Sequence, residues 1–266
     1  MTDQVLFDTS REGVAVLTLN RPERLNAYTP ELCAGLVEAL DAYLGDDSLR
    51  ALVLTGAGRG FCAGGDIKGD TPKFAENRAM QLGEAKSLRE DLQRVNRLLY
   101  EIDKPLIAAV NGVAISGGLT MALMCDVRIA AASARFGDTS GRGGMLPDEG
   151  GSWIFPRVMG YDRAWMMVMT QELVDAEEAL SLGLVTRVVP DDRLMPAALE
   201  LADRIARGAP LAQRLAKRLM KAGAGTDFPA ALDAAGLAAE IVIHTADADE
   251  GKAAFREKRQ PRFTGR

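Results

Sequence analysis

One stretch constrains this chain more than any other: Lys104-Pro-Leu-Ile-Ala-Ala-Val-Asn-Gly-Val-Ala-Ile-Ser-Gly-Gly-Leu-Thr-Met-Ala-Leu-Met-Cys-Asp126. Leu106 to Val110 is short and apolar and runs into Asn111-Gly112, which reads as a buried strand ending in a turn. Gly117 and Gly118 then open an apolar helix. A glycine pair there leaves backbone N–H groups approachable at the positive end of a helix, where a negatively charged oxygen is held. Leu52-Val-Leu-Thr-Gly-Ala-Gly-Arg-Gly-Phe-Cys-Ala-Gly-Gly-Asp66 repeats the idea, a buried strand running into a glycine-rich loop. Two such segments supply two N–H donors to one oxyanion.

The remaining bulk properties narrow the function by exclusion. The chain has 266 residues, enough for a substantial core in one large domain or a domain with an appendage. Hydrophobic residues at 47% and charged residues at 26% are ordinary for a soluble globular protein. A net charge of −5 and sparse aromatics argue against a nucleic-acid partner. The start, Met1-Thr-Asp-Gln, has no apolar signal core, and no apolar run is long enough to cross a membrane. Cys33, Cys62 and Cys125 are widely spaced without a CxxC pair, so neither a metal site nor a disulfide framework is expected. The expected setting is a reducing cytoplasm. Cys62 has no His or Asn nearby to activate it and reads as a packing residue.

Along the chain, strand and helix patterns alternate, which argues for an α/β domain. Val14 to Leu19 is a strand after the turn at Arg11-Glu-Gly13. Thr29-Pro30 is a cap followed by proline at the first helical position, and this helix is expected to run to about Leu44. Arg50 to Leu54 is the next strand; residues 67–79 read as a mobile loop over the site. Leu88, Leu92, Val95, Leu99 and Ile102 have one-faced helical spacing. A strand at Val127 to Ala130 follows the glycine-led helix, and residues 137–151 form a long loop containing six glycines. Beyond about residue 192 the patterns are helical: 194–207, 210–222, 228–246 and 250–258. The chain therefore divides into an α/β core, 1–192, and a helical region, 193–266, whose helices lack a sheet to cover and are expected to pack on another subunit.

Several motifs in a fixed order now carry a resemblance. Phe61-Cys-Ala-Gly-Gly-Asp-Ile-Lys68, Lys104 to Gly112, Ser116-Gly-Gly118, Cys125-Asp126, Phe136-Gly137, Pro147-Asp-Glu-Gly-Gly151 and Asp249-Glu-Gly-Lys-Ala-Ala-Phe-Arg-Glu-Lys258 resemble the enoyl-CoA hydratase/isomerase family, the crotonase superfamily, over residues 13 to about 258. The resemblance implies an α/β, crotonase-like spiral of repeated strand–strand–helix units with an all-helical C-terminal trimerisation region. It also implies an acyl-CoA thioester ligand, with coenzyme A as part of the substrate and no separate cofactor. Homotrimers or dimers of trimers are expected. In such proteins the oxyanion donors are the N–H groups matching Gly65 and Gly117.

The resemblance also marks departures. Family hydratases carry glutamates at the positions matching Thr120 and Ser140, and neither residue here is a proton-transfer base at neutral pH. Both are able to hydrogen-bond water or substrate, or serve as small polar fillers. Asp148 matches a position where double-bond-shifting members place a functional aspartate. It ranks as acid/base ahead of its alternative role as a helix cap, with Glu149 as the fallback. Ala63, Asp66, Ile67 and Lys68 on the first loop, together with Arg24 and Lys258, are candidate substrate or CoA contacts, although Asp66 more often organises such a loop. Trp153 and Trp165 read as core or acyl-pocket wall and His244 as structural. The main expectation is an enzyme that converts a 3-enoyl-CoA to a 2-enoyl-CoA through a bound enolate. The alternatives are a hydratase with atypical water-activating residues, and a CoA-thioester-binding subunit with little catalysis.

Overall fold

The computed structural model describes residues 2–66 and 83–266. The loop expected over 67–79, with Ile67 and Lys68, lies outside the described residues. A six-stranded sheet has the order β1 (Val5–Arg11), β2 (Val14–Leu19), β3 (Ala51–Gly56), β5 (Leu106–Val110), β7 (Val127–Ala131), β10 (Arg187–Val189). Within this sheet only the β1–β2 pair is antiparallel. A second sheet runs β4 (Gly60–Cys62), β6 (Val113–Ile115), β8 (Arg135–Gly137), β9 (Val174–Asp175). Three times the chain leaves the large sheet, turns a corner and enters the small one: β3 to β4, β5 to β6, β7 to β8. These stacked strand–strand units are the spiral the resemblance implies.

Asn111 shows why the corners stack. Its Oδ1 accepts from Gly56 N–H at 3.1 Å, and its Nδ2 donates to the carbonyls of Gly58 and Gly60 at 2.9 and 3.1 Å. One side chain thus satisfies backbone groups that a corner leaves without a strand partner. The sequence missed β1, β4, β6, β8, β9 and β10: each is short or has no run of apolar residues at a clear period.

The large sheet is covered on both faces, as a parallel sheet requires. In β3, Leu52 and Leu54 face one apolar cluster and Ala51 and Val53 another, the period-two alternation of a strand. The first cluster includes Leu32, Leu36, Leu40 and Tyr43 of α1 (Pro30–Gly45). Thr29 caps that helix as expected, its hydroxyl accepting from Leu32 N–H. The helix expected from Leu88 is two, α2 (Gly83–Glu90) and α3 (Leu92–Glu101), parted at Asp91, whose φ of −100° and ψ of −107° are not helical. The glycine-led helix is α4 (Gly117–Met124), and α5 (Gly151–Met159), α6 (Tyr161–Thr170) and α7 (Ala176–Ser181) follow.

The helical region corrects one expectation. Its first helix, α8 (Leu194–Ala206), does have a sheet to cover. Leu194, Ala197, Ala198, Ala202 and Ala206 pack on Ala51, Val53, Ile107 and Ala109, so a boundary at 192 cuts through the core. The small Ala side chains let helix and sheet approach closely. Next, α9 (Pro210–Gly223) is tied down by Lys217, which donates to Lys104 O and Asp126 Oδ2, each at 2.7 Å. Asp126 Oδ2 also accepts from Leu106 N–H, so the Lys104 and Cys125-Asp126 motifs serve this joint. The last helices, α10 (Phe228–Ile243) and α11 (Ala246–Glu257), leave Leu232, Leu237, Ile241 and Phe255 exposed. Trp153 and Trp165 are 40% and 47% exposed, not core: each lies on the outer face of its helix, α5 or α6.

Candidate active site

The two glycine segments meet around Tyr28. Tyr28 N–H donates to Gly64 O at 2.8 Å and Asp66 N–H donates to Tyr28 O at 3.1 Å, a single parallel bridge that pairs Tyr28 with Gly65. Because the bonds use the residues on either side of Gly65, the Gly65 N–H points away from the bridge. Arg21 braces this loop: its guanidinium pairs with Asp66 at 2.8 Å and also donates to Ala27 O. Asp66 therefore organises the loop, while Ala63 N–H is bonded to Leu25 O. Buried Asn26, which the sequence reading passed over, holds the bend with bonds to Ala57 O, Gly60 O and Arg21 N–H.

The second segment enters through Ser116, whose φ of +49° and ψ of −122° are rare for a residue with a side chain. Its N–H donates to Gly137 O and its hydroxyl accepts from Thr139 N–H. Thus held, Ser116 turns the chain so that Gly117 begins α4 with an N–H that has no intrahelical acceptor. The two glycines of the pair differ. A Cβ on Gly118 would lie 2.2 Å from the Cys62 carbonyl oxygen, so that glycine exists for backbone packing. A Cβ on Gly117 would instead meet side chains: Leu92 at 2.5 Å, Tyr28 at 2.8 Å and the Glu149 carboxyl at 2.9 Å.

Glu149 is buried, and Tyr28 donates its hydroxyl to Glu149 Oε1 at 3.0 Å. The Glu149 backbone carbonyl accepts from Asn96 of α3, which fixes the loop. Burial pushes the Glu149 carboxyl up to about 7; the nearby charges of Asp148 and Asp138 add to this, against hydrogen bonds from backbone and Tyr28. Glu149 Oε2 and the Thr120 hydroxyl are both buried without a hydrogen-bond partner among the described residues. Buried Asp138 accepts from Ser140 N–H at 3.0 Å, and its own carboxyl is raised by burial, with Asp148 adding to the rise. Asp148 is half-buried and its backbone carbonyl accepts from Gln93. It does not cap α5, whose cap position is Gly150. Gly65, Gly117, Thr120 and Glu149 thus come together, with Ser140, Asp138 and Asp148 beside them. Arg24 and Lys258 are exposed, and no described hydrogen bond or ion pair ties either side chain to this cluster. His244 is exposed and bonds Glu240. Among the described residues no group of three or more His, Cys, Asp or Glu side chains is arranged to hold a metal.

A strand-to-glycine corner from each of two stacked units meets at one buried carboxyl. The sequence model of the enoyl-CoA hydratase/isomerase family matches residues 9–266. The chain belongs to that family. It is similar to a 1,2-epoxyphenylacetyl-CoA isomerase of Escherichia coli, 39% identical over 96% of both chains. A crotonyl-CoA hydratase of Syntrophomonas wolfei is 37% identical over 95% of both. The crystal structure of an enoyl-CoA hydratase from Bacillus anthracis superposes with a TM-score of 0.91 at 35% identity, covering 99% of this chain and all of that one. Family membership makes this chain an enzyme of the hydratase/isomerase type with the crotonase fold. Besides Asn26, two positions were passed over in the sequence. Tyr28 carried no signal because a tyrosine beside a helix cap reads as packing, and Asp138 was hidden behind the Phe136-Gly137 motif.

Proposed function

We propose that the protein shifts a carbon–carbon double bond in an acyl-CoA thioester, 3-enoyl to 2-enoyl, with Glu149 as the acid/base. The observation that carries this is the buried Glu149 carboxyl beside Gly117, with one oxygen unpartnered. The N–H groups of Gly65 and Gly117 stabilise the enolate oxygen formed when a proton leaves the α-carbon. Glu149 takes that proton and returns it to the γ-carbon, so one carboxylate suffices and no cofactor or activated water enters. A carboxyl titrating near 7 suits both halves of this task. Sequence ranks Asp148 ahead of Glu149; burial and proximity to Gly117 favour the reverse. Asp148 then acts through its charge, which raises Glu149.

A second reading is water addition. The unpartnered Thr120 hydroxyl supports it, as a buried group able to hold a water near the same carboxyl. The binding-only alternative gains no support, because a buried carboxyl without a partner for one oxygen is costly unless it is used. Subunit assembly into trimers or dimers of trimers is part of the proposal, supported by the exposed apolar side chains of α10 and α11.

The test offers the enzyme 3-hexenoyl-CoA and 2-hexenoyl-CoA and follows products by mass and ultraviolet absorbance. Conjugation without mass change means isomerisation; a gain of water means hydration. Glu149→Gln is expected to lower turnover by about a hundredfold or more, and Asp148→Asn much less. If Asp148→Asn is the more damaging, the roles are exchanged.

A further inference from the structure

We infer that Tyr28 is a positioning residue for Glu149: its hydroxyl holds Oε1 and so leaves Oε2 as the oxygen that meets the substrate. The inference rests on reading Glu149 as the acid/base. The hydroxyl lies 3.0 Å from Oε1, while Oε2 is buried without a partner among the described residues. Tyr28 is itself held at both backbone polar groups by the loop that carries Gly65. Its ring lies against both glycines: a Cβ on Gly65 would sit 3.2 Å from the hydroxyl oxygen, and one on Gly117 2.8 Å from the ring. One side chain therefore sets the distance between the first loop, the start of α4 and the carboxyl contributed by the 147–151 turn. A carboxyl with two free oxygens rotates about its last bond; a fixed donor on one oxygen removes that freedom.

The α C–H bond breaks, an Oε2–H bond forms, and the electron pair moves onto the thioester oxygen as an enolate. The Oε2–H bond then breaks, the γ-carbon takes the proton, and the enolate electrons re-form the thioester carbonyl with the double bond shifted. Tyr28 keeps its own proton throughout, because burial and the adjacent Glu149 charge raise the phenol well above its ordinary range. It donates to Oε1 whether Glu149 is charged or neutral. The other titratable groups facing Glu149 are Asp148 beside it, Asp138 on the turn after β8, and Cys62 of β4. The two carboxylates disfavour the Glu149 charge, and the Cys62 thiol, pushed up to about 12 by burial, stays neutral. A backbone hydrogen bond to the Glu149 carboxyl and, after it, the Tyr28 hydroxyl work against the two aspartates.

Tyr28→Phe keeps the ring that fills the space and removes only the donor. Two measurements are made on the intact enzyme beside Glu149→Gln. One is the infrared carboxyl band in the free protein across pH, assigned by its loss in Glu149→Gln. The other is exchange of the α-hydrogens of hexanoyl-CoA into heavy water, read by mass, with kcat and KM separated. In Tyr28→Phe the band is expected to titrate at higher pH than in the parent. Exchange near neutral pH is expected to fall about tenfold in kcat, with KM little changed and partial recovery in alkali. A merely structural tyrosine would lower exchange evenly across pH and leave the band where it was; that result overturns the inference. If Glu149→Gln exchanges at the parent rate, the acid/base reading falls and takes this inference with it. If Glu149→Gln is inactive and Tyr28→Phe shifts neither profile, only the role of Tyr28 falls.

Discussion

Replacing Glu149 with glutamine should stabilise the protein at alkaline pH while removing its activity. The magnitude follows from the carboxyl itself. Burial and the Asp148 and Asp138 charges move it from 4.5 to about 7, and each pH unit is worth about 1.36 kcal/mol, so the ionised group costs the fold about 3 kcal/mol. The folded state binds the proton more tightly than the unfolded chain. Native stability is therefore fully retained below the unfolded value and declines as pH rises through the folded one, levelling off above it. Glutamine does not ionise and keeps an oxygen to accept the Tyr28 bond, although its buried NH2 costs roughly 1 kcal/mol at every pH. Urea unfolding at one protein concentration, from about pH 4 to about pH 9, measures the difference between parent and variant. That difference should shift in favour of the variant by about 3 kcal/mol across the range, most steeply between the unfolded and folded values. A difference that stays flat with pH would mean Glu149 is not held at a raised pKa, and the reasoning about its burial would be refuted.

Other outcomes follow from the same geometry. Gly118→Ala drives a Cβ against the Cys62 backbone and should cost more than about 4 kcal/mol, seen as loss of soluble protein, whereas Gly117→Ala keeps its N–H, meets side chains alone and should fold while displacing Leu92, the Tyr28 ring and the Glu149 carboxyl, so that turnover drops about a hundredfold. Asp66→Asn leaves Arg21 without its charged partner at a site where the two side chains are only 13% and 8% exposed; a stability loss of roughly 3 kcal/mol by urea titration is expected. Placing aspartate at both Leu237 and Ile241, exposed on α10, should lower the assembly state in sedimentation at micromolar concentration without unfolding the α/β core.

Much of the molecule was legible along the chain, and the reasons are local. The strands Ala51–Gly56 and Leu106–Val110 and the helix after Thr29 follow from apolar runs, a proline and a cap, all of which act within a few residues. The glycine at 117 was also legible, because a helix start with bare N–H groups is a property of consecutive residues. The break at Asp91 was not, since the apolar face runs through it unaltered. Nor was the sheet-covering role of Leu194–Ala206: an alanine-rich amphipathic helix has the same pattern whether it covers its own sheet or a neighbouring subunit.

By itself, the sequence determined the central strands of the large sheet and the two glycine corners, and the family resemblance added the strand–strand–helix units and the Asp148-Glu149 pair. Only the tertiary structure decided which of those carboxyls is buried beside Gly117, and that a tyrosine 121 positions earlier bonds it. The physical reason is range. Backbone torsion and face periodicity are set by neighbours in the chain. The ionisation of a carboxyl is set by what surrounds it in space, and here those surroundings are Tyr28, Gly117 and Asp138, drawn from separate turns of the spiral.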